Sequence, residues 1–298
     1  MKRFIPLFLA LLVLPFIWSS CSSRKTTTRF QQAYGLLNSA PDSALSLLGE
    51  IDKFSLSEKD LAVYSLLYTI AQDKNGLDVD SDSLLGIAYS YFKGREQDSL
   101  YAKCQYYMGK YYLLNDSTRM AEECLTQAIR VSKEKGDYYT TYLALDRLSK
   151  SLNRSNPKMA VRYAKEAYQI YQDKFSNNFS NQVFLLMSIG NSLTLANEMD
   201  SAHVYLRKAL HLAEESKNEE LISGAYQSFS GFMQEQEKND SALFFAKIAW
   251  ERAPKKSISL ASNLAYAYLM ADSVSQSMEL LTQLCQAKSS ITRQTAYK

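Results

Sequence analysis

The side chains best suited to nucleophilic, acid–base or metal chemistry in this 298-residue chain are two histidines, four cysteines and 31 carboxylates. His203 and His211 fall on one predicted helix at a spacing that suits neither a metal pair nor a nucleophile with its base, and both are expected on solvent. No glycine-rich phosphate loop occurs, and the Asp and Glu residues lie on polar helix faces without a recognisable pair. An enzyme is therefore not expected, and no catalytic residue, metal site or cofactor is assigned. Cys104, Cys124 and Cys285 sit among apolar helical neighbours, where a thiol usually packs as a small core residue. A bridge between Cys104 and Cys124, on the two helices of one hairpin, is the alternative if the chain is exported.

Export is what the N-terminus suggests. Lys2 and Arg3 precede an apolar run from Phe4 to Trp18, and Ser19, Ser20 and Cys21 follow it. This order is that of a secretory signal, so 1–20 reads as a signal peptide. The run is shorter than the roughly 20 residues that span a bilayer, and Pro6 and Pro15 interrupt it, so an N-terminal transmembrane anchor is the alternative. Small residues followed by Cys21 resemble the lipobox of bacterial lipoproteins, although Trp18 stands where those have Leu. The resemblance implies a diacylated Cys21 at the mature N-terminus, a polar tether over 21–29, and a membrane-anchored location in the cell envelope, facing the periplasm.

Composition bounds the rest. With 46% hydrophobic and 22% charged residues, and only 10 Gly and 5 Pro, the mature chain is expected to be folded and all-α. Net charge is +3 with no basic block, so nucleic acid is not an expected partner. Internal similarity organises the chain further. Met108, Gly109, Tyr112, Ala121, Leu125 and Ala128 recur as Ile189, Gly190, Leu193, Ala202, Leu206 and Ala209 at the same spacing. Weaker copies run through Leu148, Ala160, Ala164 and Ala167, through Ala242, Ala246, Ala249 and Pro254, and through Leu264, Ala265, Tyr268, Ser277 and Leu281. These motifs are similar to the tetratricopeptide (TPR) consensus, and the whole mature chain resembles the TPR lipoproteins of Gram-negative gut anaerobes.

The resemblance implies an α-solenoid of antiparallel helix pairs, a right-handed superhelix of about six to seven hairpins occupying 30–298. Irregular units are expected over 30–96, then TPR units at 97–136, 137–178, 179–217, 218–255 and 256–288, with an incomplete helix at 289–298. Gly109 and Gly190 each cost a helix up to about 1 kcal/mol against Ala. Close approach to a small Ala of the partner helix would explain them. Asp-Ser pairs recur before an apolar residue, at Asp42, Asp82, Asp98, Asp200, Asp240 and Asp272, and are read as N-caps. Resemblance to periplasmic proteins O-glycosylated at such sequences supplies a second reading.

By the same family analogy, helix A of each hairpin presents Tyr106, Lys110, Tyr142, Phe184, Met187, Asn191, Leu195, Gln227 and Tyr266 to a concave groove. This mixed, moderately apolar set suits an extended or helical peptide segment better than a terminal carboxylate. The expected function is a non-enzymatic protein–protein interaction scaffold. Its rivals are the ectodomain of a TPR-type sensor or signalling regulator and, third, a glycan-binding lipoprotein. Self-association or a docked partner is expected at the C-terminal end, where solenoids need a protected last repeat.

Overall fold

A computed structural model describes residues 26–77, 82–175 and 179–296, with side chains placed at all of these except 82–83 and 286–296. The apolar run Phe4–Trp18 and Cys21 lie outside the described residues. Every described element is helical. Helix α1 covers 26–36, and α2 (Pro41–Gly49), α3 (Glu58–Lys74), α4 (Asp82–Phe92), α5 (Tyr101–Leu114) and α6 (Thr118–Glu134) follow. Then come α7 (Tyr138–Leu152), α8 (Pro157–Phe175), α9 (Phe179–Leu195), α10 (Met199–Ser216), α11 (Glu219–Gln234), α12 (Asn239–Arg252), α13 (Ile258–Met270) and α14 (Val274–Ala296). The helices pair in order, α5 with α6, α7 with α8, α9 with α10, α11 with α12 and α13 with α14, which is a helical-hairpin solenoid. They divide into two compact units, 1–135 and 136–298.

Alanines make the pairing possible. Ala121, Ala128, Ala160, Ala164, Ala167, Ala202, Ala209, Ala242, Ala246 and Ala249 are all completely buried, so the second helix of each hairpin lies close against the first. Larger side chains fill the remaining space, including Val161, Ile189, Leu193, Leu206, Phe229 and Phe232 in one cluster. Pro254 follows the last residue of α12 and its cap, where a residue lacking an N–H cannot extend the helix.

The turns that follow α5, α9, α11 and α13 share one geometry. Ser117, Glu198, Lys238 and Ser273 each donate a backbone hydrogen bond to the carbonyl five residues earlier. The residue before each of them, Asp116, Asn197, Glu237 or Asp272, has a left-handed backbone with φ between 54 and 59°. This is a Schellman-type helix end, a position that glycine occupies most easily. Left-handed backbone costs an L-residue roughly 1–2 kcal/mol, partly offset by the entropy glycine loses on folding. Glu237→Gly is accordingly expected to stabilise the C-terminal unit by about 0.5–1 kcal/mol. A higher denaturation midpoint in urea would show it, and a lower one would contradict this account of the turn.

Three expectations about local structure change. The Asp-Ser pairs are mostly not N-caps: Asp42, Asp200 and Asp240 are the second residues of α2, α10 and α12, and the residue ahead of each helix makes no side-chain cap. These helices begin two residues earlier than an Asp cap requires, so the carboxylates act on the helix dipole from within the first turn. Asp98 does accept a bond, from the Leu100 amide at 2.9 Å, but Leu100 and not Asp98 stands ahead of α5; side-chain caps are made by Ser57, Asp137, Asn218 and Ser257, and Asn156 accepts from the Met159 amide at the start of α8. Second, 289–296 does not begin a new helix, and the last two residues of the expected 289–298 segment lie outside the described residues. No Gly or Pro interrupts the sequence after Cys285, and α14 runs unbroken to Ala296. Third, Cys104 and Cys124 are buried free thiols, not a bridge.

Candidate functional site

Packing mutes two of the thiols and one of the histidines. Burial pushes the Cys104 thiol up, as does the neighbouring Cys124; burial likewise raises Cys124, against a lowering contact from the Tyr89 hydroxyl. Neither is a thiolate at neutral pH, so neither is poised as a nucleophile. His203 is half-buried, contrary to the solvent position expected, because its ring stacks on Phe232 at 5.9 Å and meets Phe229 edge-on. His211 is exposed and pairs with Glu215 at 3.3 Å. Among the described residues no group of three or more His, Cys, Asp or Glu converges on a point.

The repeat glycines do mark close approach, but against leucine and not against an alanine side chain. A Cβ on Gly109 would lie 2.8 Å from Leu125 Cγ, and one on Gly190 would lie 2.5 Å from Leu206 Cδ2. Each glycine therefore receives the large side chain of the second helix. This fixes which face of the first helix meets its partner, and the opposite face is the one turned away from it.

The nine predicted groove residues separate on that face. Tyr106, Tyr142 and Met187 are buried. Tyr142 belongs to a ring cluster with Tyr139, Tyr171 and Phe175, whose centroids lie 5.1–5.6 Å from its own. Met187 packs against the backbone of Gly224, where an added Cβ would meet its Cε at 3.6 Å. In the N-terminal unit Lys110 is half-buried and forms an ion pair with Asp73. In the C-terminal unit Phe184 and Tyr266 are exposed, at 45% and 49%, while Asn191, Leu195 and Gln227 are half-buried. Asn191 donates to Ser228 Oγ at 3.4 Å and Gln227 donates to Ser259 Oγ at 3.1 Å, joining neighbouring first helices.

Sequence reasoning missed the polar residues between them. Two residues along an α-helix is a rotation of about 200°. Ser188 therefore points away from α10 if Gly190 points toward it. Arg147, Ser228 and Asn263 hold the corresponding place in α7, α11 and α13, two residues before Ser149, Ser230 and Ala265. Ser149 donates through its side chain to the Ala160 carbonyl of α8, which gives its inward direction, and the Ala265 carbonyl accepts from Ser277 of α14. Arg147 Nε, Ser188 Oγ and Asn263 Oδ1 are all buried without a hydrogen-bond partner, and so is Asp146 Oδ1 beside them. Ser188 is only 3% exposed. A signal existed in the sequence: Ser188 is the one polar residue in the run Val183–Ile189.

No protein-family model matches the chain, and no curated protein matches its sequence. Solved structures do. A Rap protein complexed with competence and sporulation factor superposes with a TM-score of 0.71 at 16% identity, covering 88% of this chain and 75% of that one. NprR in complex with its cognate peptide NprX gives 0.67 at 14% identity, covering 88% and 78%. A signal-transduction ATPase with a tetratricopeptide repeat sensor, from Pyrococcus horikoshii, gives 0.58 at 13% identity, covering 89% of this chain and 40% of that protein. The fold of this chain is thus of the tetratricopeptide-repeat type.

Proposed function

We propose that this chain is a non-enzymatic scaffold that captures an extended segment of a partner polypeptide along the first-helix face of its C-terminal unit. The observation that carries the reading is the row of unsatisfied polar atoms at matching places in α7, α9 and α13. Each buried donor or acceptor left unpaired costs about 1–3 kcal/mol, which a ligand bond would return. A polypeptide backbone offers N–H and C=O groups in alternation, so one extended strand serves the Arg147 donor, the Ser188 hydroxyl and the Asn263 acceptor together. Exposed Phe184 and Tyr266 supply apolar rims for its side chains. The likeness to Rap and NprR, each solved with a bound factor or peptide, supports a polypeptide ligand.

The anchor belongs to the same proposal. Cys21 is the acylated residue, and the scaffold is held at the envelope membrane facing the periplasm. Support comes from the charged, apolar and small-residue order of residues 2–21. No described helix is long and apolar enough to cross a membrane. Cys21→Ser is expected to move the protein from the membrane fraction to the soluble one. A sensor role for the same groove is the second reading, favoured by the likeness to a repeat sensor.

Photo-crosslinking in intact cells tests the groove. A benzophenone side chain placed at Phe184 or Tyr266 is expected to yield polypeptide adducts, and one at Phe244, exposed on α12, is not. Ser188→Ala, which removes the hydroxyl without adding volume at this buried position, should sharply reduce the adducts while leaving the melting temperature within a few degrees. Equal labelling from Phe244, or adducts undiminished in Ser188→Ala, would refute the assignment.

A further inference from the structure

Charge is spread unevenly over the first helices of the C-terminal unit. Helices α9 and α13 contain no charged residue, and α11 has only Glu219 and Glu220, both in its first turn, where Glu219 pairs with Arg252. Along these helices the row is bordered by hydroxyls, amides and rings, among them Phe184, Asn191, Gln227, Asn263 and Tyr266. Helix α7 differs, carrying Asp146, Arg147 and Lys150.

These three charges do not cancel. Lys150 Nζ lies 2.6 Å from Asp146 Oδ2, which satisfies the lysine and one oxygen of the carboxylate. Arg147 forms no hydrogen bond or ion pair with any described residue, and its Nε is buried without a partner. Successive residues stand 100° apart around a helix, so Asp146, drawn to Lys150 one turn along, is directed away from Arg147. Within this unit α7 packs on α8 and α9. Helix α9 has no charge to offer, and α8 turns its buried Ala160, Ala164 and Ala167 inward. The α7 end of the row thus holds a half-buried guanidinium with no counterion among the described residues of its own unit.

A guanidinium in this state is best satisfied by a carboxylate, whose oxygens match the fork of its N–H groups. The Nε–H of Arg147 serves a ligand carbonyl in the capture proposed above, which leaves its terminal nitrogens for a side chain. Packed helices stand about 8–10 Å apart, so the row from α7 to α13 covers about 24–30 Å, the reach of roughly seven to nine extended residues.

We infer that Arg147 binds an acidic side chain of the captured segment, so that the ligand carries an Asp or Glu at the α7 end and uncharged side chains where it faces α9, α11 and α13. This rests on the polypeptide-capture reading and adds which sequences are captured and which way they run. Attraction acts at α7, and exclusion acts beyond it: a charged side chain turned toward α9 or α13 would lose water without meeting a counterion.

An array of peptides about nine residues long, probed with the detergent-purified full chain, tests the assignment. Diverse uncharged core sequences, acetylated and amidated, carry Glu, Gln or Lys at one end or the other, and a matching set has free C-termini. Glu is expected to outbind Gln by about tenfold at one end and Lys to bind least, with the contrast shrinking as salt is raised. Arg147→Gln should bring the Glu-to-Gln ratio near one, and Arg147→Glu should favour Lys. Ser188→Ala should weaken Glu and Gln peptides alike and leave their ratio unchanged, which separates charge reading from backbone capture. Arg147 gives up no bond when replaced, so the melting curves of its variants should stay within a few degrees of wild type. A wild-type ratio near one, a ratio that survives Arg147→Gln, or a preference confined to free C-termini would overturn the inference and leave capture standing. Absence of binding to every peptide would overturn both.

Discussion

Leu206→Ala is expected to destabilise the C-terminal unit by about 2–5 kcal/mol, Gly190→Ala by about 1–2 kcal/mol, and the two together by clearly less than their sum. Leu206 is 1% exposed and its Cδ2 would stand 2.5 Å from a Cβ on Gly190. Removing the leucine leaves a cavity among Val161, Ile189, Leu193 and Phe229. Adding the methyl forces Leu206 against that same packing, and the helix propensity gained by replacing glycine, about 1 kcal/mol, offsets only part of the strain. In the double variant the methyl enters space the leucine has vacated. A coupling of roughly 0.5–3 kcal/mol in a denaturant double-mutant cycle is the expected signature. An additive cycle would mean that the two helices do not meet here.

Tyr142→Ala separates core from groove. The ring is 3% exposed and lies in edge-on contact with Tyr139 and Tyr171. Its loss is expected to cost about 3–5 kcal/mol, lowering the melting temperature by several degrees per unit affected. A ligand-contacting tyrosine would behave in the opposite way, with binding lost at unchanged stability. Phe184→Ala supplies the contrast: 45% exposed, it should leave stability within about 0.5 kcal/mol of wild type.

These outcomes also explain what the sequence could reveal. Gly109 and Gly190 were legible because a helix does not tolerate glycine at a repeated spacing without a packing reason, and the alanines of each second helix recur with them. Which neighbour fills the glycine's space was not legible, since alanine and leucine both recur on that helix. Tyr142 was placed in the groove by analogy, but on a helix one residue is 100°, and a shift of one position moves a side chain from groove to core. Arg147, Ser188 and Asn263 went unseen for a different reason. Serine and asparagine in a helix are ordinary, and only hydrogen-bond accounting in three dimensions shows that these lack partners. Continuation of α14 through Lys288 was hidden by the expected repeat length, although no helix breaker stood in the way.

The hairpin order has a kinetic consequence. Helix α9 packs on α7, α8, α10 and α11, and the other main helix pairs among the described residues are likewise near neighbours along the chain. These contacts close short loops, and low contact order of this kind allows folding to begin at one hairpin and spread to the next within each unit without a search for distant partners. Amide exchange should accordingly be graded along the chain, slowest in the buried α9–α11 region and fastest where a hairpin has a neighbour on one side alone.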